Sequence, residues 1–163
     1  MVHTLALLAL AALTTGPQAG SSRSDRPLPA FQVTSPEGTP ASSAQLSPES
    51  QWLLVYVNPA SSTSRRLLQA MKEWEAPQIV SRTVLIVQGR LPEARAFVEQ
   101  SLPEELRGMR WYADSDRGAW QALNLTGAPV LVGVTNGRSE WLLSGVLADP
   151  SALKSVVLTW VRY

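Results

Sequence analysis

Read for apolar and polar positions, the chain alternates two kinds of signal from Trp52 onward. Trp52–Val57 (WLLVYV) is an unbroken apolar run, the pattern of a strand buried on both faces. The next segment places Leu67, Met71 and Trp74 at i, i+4 and i+7. Leu68 widens the stripe, and Arg66, Gln69, Lys72 and Glu73 face away, so a helix is predicted from about Thr63 to Ala76, ended by Pro77. Thr83–Gln88 (TVLIVQ) reads as a second buried strand. Pro92 opens a helix carrying Ala94, Phe97 and Val98. Met109–Tyr112 reads as a third strand, and Asp116 as the cap of a short helix with Trp120 and Leu123 inward. Val130–Val134 and Glu140–Leu143 flank Asn136-Gly137, a two-residue hairpin signal. Asp149-Pro150 is a helix start, and Leu153, Val156, Val157 and Trp160 share one side of the closing helix. The order strand, helix, strand, helix, strand, helix, hairpin, helix predicts an α/β fold. It has a central mixed β-sheet, helices on both faces, and a C-terminal β-hairpin plus helix.

The N-terminal part has a different texture. Met1–Ser22 contains no Lys, Arg, Asp or Glu, and its apolar stretch Leu5–Leu13 (LALLALAAL) is far shorter than a membrane span. This is the pattern of a secretory signal over residues 1–19, with Ala19 at the last cleaved position. Residues 20–29 are small, polar and Pro-containing and read as a linker, leaving residues 30–163 as the domain. Phe31-Gln32-Val33 is expected to be an edge strand. Ser35–Ser50, with three prolines, Gly38 and five serines, is expected to be a loop. The expected location is exported, periplasmic or extracellular, with membrane contact only if the N-terminal segment is retained.

Composition then removes chemistry. The 163 residues hold no cysteine, and the one histidine, His3, lies in the expected signal. A mature chain without either residue has no thiol nucleophile, no Ser-His-Asp triad, no Cys/His zinc site and no histidine-ligated haem. A formal net charge of +1 gives no footprint for nucleic acid. Asp114-Ser115-Asp116 lacks the glycine and terminal glutamate of a calcium loop, so capping is expected and no metal. No cofactor is expected.

Three stretches resemble the thioredoxin-like superfamily, and most of all the exported thioredoxin-like proteins of cytochrome maturation and the alkyl hydroperoxide reductase/thiol-specific antioxidant group. The first is Phe31-Gln32-Val33, Ser35-Pro36-Glu37-Gly38 and Ala44-Gln45-Leu46, similar to that group's entry hairpin and turn. The second is Leu53–Val57 running into Asn58-Pro59-Ala60-Ser61-Ser62-Thr63-Ser64-Arg65-Arg66, where the family has strand, loop, Cys-x-x-Cys and helix. The third is Asp114-Ser115-Asp116 through Trp120 to Gly127-Ala128-Pro129, where the family has an aspartate, a short helix and a cis-proline. The resemblance spans about Ala30 to Trp160 and implies a thioredoxin-like fold with a cis Ala128–Pro129 peptide beside the first helix.

By the same resemblance, Ser61 and Ser64 stand at the two cysteine positions, as degenerate active-site residues. Pro59, Arg65, Ala128 and Pro129 border a groove for an extended peptide. Serine cannot replace the chemistry. Disulfide exchange needs a thiolate. A helix dipole stabilises an anion by only about 0.3–2 kcal/mol, too little to ionise an alcohol near neutrality when each pKa unit is about 1.4 kcal/mol. A serine hydrolase would need an adjacent base, and Lys72 and Lys154 are the only lysines. As plain structure, Ser61–Ser64 is a helix N-cap region.

The expectation is therefore a non-catalytic binding or assembly module for an unknown exported protein or peptide, without catalytic residues. The alternatives are a thiol-disulfide oxidoreductase whose cysteines are replaced by serine in this chain, and a structural domain with no ligand.

Overall fold

A computed structural model describes residues 21–74, 77–144 and 150–161. The expected signal segment, and Asp149 as a helix cap, lie outside them. Eight strands form one sheet: β1 (Ser21–Pro27), β2 (Gln32–Thr34), β3 (Pro40–Ser42), β4 (Gln51–Val57), β5 (Thr83–Gln88), β6 (Arg110–Asp114), β7 (Val130–Thr135) and β8 (Arg138–Ser144). Five helices accompany them: α1 (Ser62–Lys72), α2 (Pro77–Arg82), α3 (Leu91–Ser101), α4 (Gly118–Ala122) and α5 (Pro150–Val161). The spatial order is β1-β8-β7-β4-β5-β6-β2-β3. β4, β5 and β6 are parallel, and every other pairing is antiparallel.

The continuous apolar run at Trp52–Val57 has the cause expected of it. β4 lies between β5 and β7 and is covered on both faces, so alternate side chains enter two different cores. Leu53, Val55 and Val57 join Leu85, Val87 and Leu131 against α1, α2, α3 and α5. Trp52, Leu54 and Tyr56 join Val84, Ile86, Val130 and Val132 against α4, Phe31, Val33 and Leu46. Helices thus cover both faces, four on one and one on the other. All six tryptophans pack against one core or the other. Gly133 is required by such a contact: a Cβ there would fall inside the Trp141 indole. We expect Gly133→Ala to lower stability by about 1–3 kcal/mol through forced repacking, read from denaturant unfolding.

Several boundaries differ from the sequence reading. Residues 20–29 are not simply a linker: β1 pairs with β8, and Leu28 N–H donates to the Gly137 carbonyl at 2.8 Å. A Ser/Arg-rich strand leaves no apolar trace because a polar edge needs none. The predicted edge strand at Phe31–Val33 is β2, one strand in from the edge. β3 is the edge, drawn from the expected loop, with Pro40 tolerable only at such a position. α1 stops at Lys72, where Glu73 N–H reaches the Ala70 and Met71 carbonyls. Pro77 opens α2 instead of ending α1, and its missing N–H costs nothing at a first helical position.

The capping residue of α4 also moves. Asp116 is exposed, while Asp114, 1% exposed, accepts from Ala119 N–H and Trp120 N–H at 3.1 Å each. Tyr56 O–H adds a third bond at 2.8 Å. Burial, then the bond to Asp114 and its charge, raise the Tyr56 pKa well above the ordinary tyrosine value. The folded state thus keeps a proton that the unfolded chain releases near pH 10. Stability from this group is complete below about pH 10 and falls as pH rises further. Tyr56→Phe is expected to flatten that alkaline fall in a series of denaturation curves.

Candidate functional site

The parallel strands deliver β4, β5 and β6 with their C-terminal ends at one edge of the sheet, and the Asn58–Ser61 loop leaves from β4 there. Asn58 shapes the exit. Its Oδ1 accepts from Ala60 N–H at 2.8 Å, an Asx turn, and its carbonyl accepts from Ser61 N–H at 2.9 Å. Ser61 is the N-cap of α1, extended at φ −86° and ψ 121°, and its Oγ accepts from Ser64 N–H at 3.3 Å. The N-cap role read from the Ser/Thr run is therefore observed. Ser61→Ala is expected to cost about 1 kcal/mol of stability, measurable as a shifted denaturation midpoint without a change in slope.

The two serines have different surroundings. Ser64 is fully buried, and its Oγ accepts from Asn58 N–H at 3.1 Å, tying the first turn of α1 back to the strand exit. Ser61 is half-buried and faces the loop before β7. The Ala128–Pro129 peptide is cis, and the Ala128 carbonyl oxygen lies 3.3 Å from both Ser61 Oγ and Thr63 Oγ1, across more than 60 residues of sequence. The two hydroxyls also approach each other at 2.6 Å. They hold two protons between them. One serves the short hydroxyl–hydroxyl bond, which leaves one for Ala128 and one carbonyl lone pair unused.

Every residue expected at the groove falls in this neighbourhood. Arg65 is exposed and its guanidinium donates to the Pro59 carbonyl at 2.6 Å, closing the loop over its own helix. Pro59 and Ala128 are half-buried, and Pro129 is buried. No carboxylate, imidazole or amine is among the hydrogen-bond partners of Ser61 or Ser64, and Lys72 pairs instead with Glu105 at 3.4 Å. Among the described residues neither hydroxyl is bonded to a base, and the arrangement is one of hydrogen bonds within the loop and across to Ala128.

Two participants were not singled out from sequence. Thr63 sits in a run of four hydroxyl residues, where sequence cannot say which faces the distant loop. Asn58-Pro59 does carry a turn signal, and the Asx bond is what that signal means. Among the described residues no group of three or more acidic or histidine side chains is placed to hold a metal ion.

No protein-family model matches this chain, and no curated protein matches it by sequence. Solved structures do match in shape. A secreted Mycobacterium tuberculosis disulfide oxidoreductase homologous to E. coli DsbE superposes with a TM-score of 0.61 at 18% identity, covering 79% of this chain and 95% of that one. The thioredoxin domain of a thiol-disulfide oxidoreductase from Bacteroides vulgatus gives 0.63 at 15% identity, covering 85% and 97%. At such identities the likeness is one of fold, and the fold is thioredoxin-like.

Proposed function

We propose that the chain is an exported, redox-inert thioredoxin-like module that binds an extended segment of a protein or peptide in the groove between Asn58–Ser64 and Ala128–Pro129. Ser61 and Ser64 take the places of the two cysteines in this reading. Export rests on the apolar Leu5–Leu13 stretch, and the secreted relative in shape supports it. The observation that carries the binding role is the meeting of the α1 N-cap with the Ala128 carbonyl in a chain without sulfur nucleophiles.

An extended ligand would take backbone bonds at Ala128, using the free carbonyl lone pair, as in strand addition. Hydroxyl contacts worth about 0.5–1.5 kcal/mol each replace a covalent link, so binding is reversible and indifferent to reductant. The test is selection from a displayed peptide library. Peptides enriched by the protein should lose at least about tenfold in affinity on Ala128→Arg, a loss of about 1.4 kcal/mol, with the unfolding midpoint maintained. Enriched peptides that bind the arginine variant equally well would assign the groove no role and leave a structural domain.

A further inference from the structure

At the opposite end of β6, away from the groove, the sheet has an open edge. β2 covers β6 only at Thr34, opposite Ala113. Beyond Thr34 the chain turns away: Ser35 N–H donates to the Thr39 carbonyl at 2.8 Å and Gly38 N–H to the Ser35 carbonyl at 2.9 Å. Arg95 holds the Pro36 carbonyl, which fixes that turn as a wall. Between the wall and β6 lies a cavity of about 320 Å³.

The direction of the β6 backbone follows from its neighbours. The Asp114 carbonyl accepts from Gly89 N–H on the β5 side, and Ala113 pairs outward with Thr34. Alternation along a strand then points Trp111 N–H and C=O outward, into the cavity. β2, which bridges β6 only at Ala113, does not extend opposite Trp111. Trp111 and Tyr112 are half-buried at its floor, and Arg107 and Arg110 stand exposed beside it. Neither arginine has an ion-pair partner among the described residues, and Arg110 makes one long contact, 3.4 Å, to the Ser81 carbonyl. The opposing carboxylate is Glu37, already engaged by the Ser35 hydroxyl at 2.7 Å.

We propose that this slot is a second docking site, in which an acidic extended segment of another protein continues the line of β2 along β6, bonding to Trp111 and placing carboxylates against Arg107 and Arg110. Charge selects the occupant. Residues 1–20 of this chain carry no Asp or Glu and cannot supply the carboxylates. A second copy paired edge to edge about a two-fold axis would set arginines against arginines. About four added residues span Met109–Tyr112 at the rise of a strand.

The probe is a capped seven-residue peptide of alternating glutamate and valine, titrated into the full isotope-labelled protein, with an alternating lysine and valine peptide as control. Shifts are expected at Ser35–Glu37 and Met109–Tyr112, with Trp111 amide exchange slowed at least about tenfold at saturation. Arg107→Ala/Arg110→Ala should weaken binding by about fivefold or more at low salt with an unchanged unfolding midpoint, and the lysine peptide should not bind. Equal binding of both peptides, no binding at millimolar concentration, or self-association of the free protein through this edge would overturn the proposal. Shifts confined to Asn58–Ser64 and Ala128 would also overturn it while supporting the groove, so the two sites stand or fall separately.

Discussion

Ser61→Cys/Ser64→Cys is expected to acquire dithiol chemistry where the protein itself has none. Position 61 is the N-cap of α1, half-buried and facing Ala128, so a thiol there would lie at the positive end of an 11-residue helix. Helix N-termini lower cysteine pKa from about 8.5 toward about 7 or below, giving a substantial thiolate population at neutral pH. Position 64 is fully buried one turn on, where a second thiol is shielded from outside reagents and can resolve a mixed disulfide formed at position 61. The expected result is two free thiols after reduction and none after mild oxidation, with disulfide reduction at least about tenfold above the cysteine-free protein. A double variant whose thiols never pair would contradict the placement of these two serines at the family's cysteine positions.

The largest expected stability effect lies on the other face of the sheet. Asp114→Ala removes one carboxylate and strands three donors: the buried Tyr56 hydroxyl and the N–H groups of Ala119 and Trp120. Each unmet donor costs about 1–3 kcal/mol if kept from water, so a total of about 3–5 kcal/mol is expected after partial relaxation. That is a large share of the roughly 5–15 kcal/mol that holds a domain together. Asp114→Asn keeps the shape and one acceptor and should recover part of the loss. Arg117 stacks its guanidinium 4.7 Å from the Trp120 ring centroid, which further fixes α4. Denaturant unfolding of the three proteins measures the series, and an Asp114→Ala midpoint equal to that of the parent would show that α4 does not depend on this carboxylate.

What could be read in advance follows the physics of each segment. β4, β5 and β7 are written plainly because both faces are buried and their central positions are apolar or glycine. The Asn136-Gly137 turn was equally plain, since both residues adopt positive φ there. β1 and β3 were hidden because edge strands are held by backbone bonds and ask little of side chains. α2 was hidden by Pro77, whose two meanings, helix end and helix start, cannot be separated by local pattern. At the site, the resemblance carried the approach of Ala128 to Ser61, a contact between distant residues that no local periodicity encodes. The choice of Thr63 as its companion depends on which hydroxyl the helix turn aims inward, which only coordinates supply. Asp114 over Asp116 as the cap was decided by Arg117, whose left-handed φ of 58° turns the chain so that the earlier carboxylate meets the helix start.

The central claim is that the groove binds without chemistry. The most direct measurement is photo-crosslinking in cells that produce the full chain, with a benzophenone amino acid at the exposed position of Ser62. A discrete adduct is predicted that is unchanged by reductant and lost on Ala128→Arg while the protein stays folded. An adduct that persists in the Ala128→Arg variant, or one that forms only under oxidising conditions, would contradict the account.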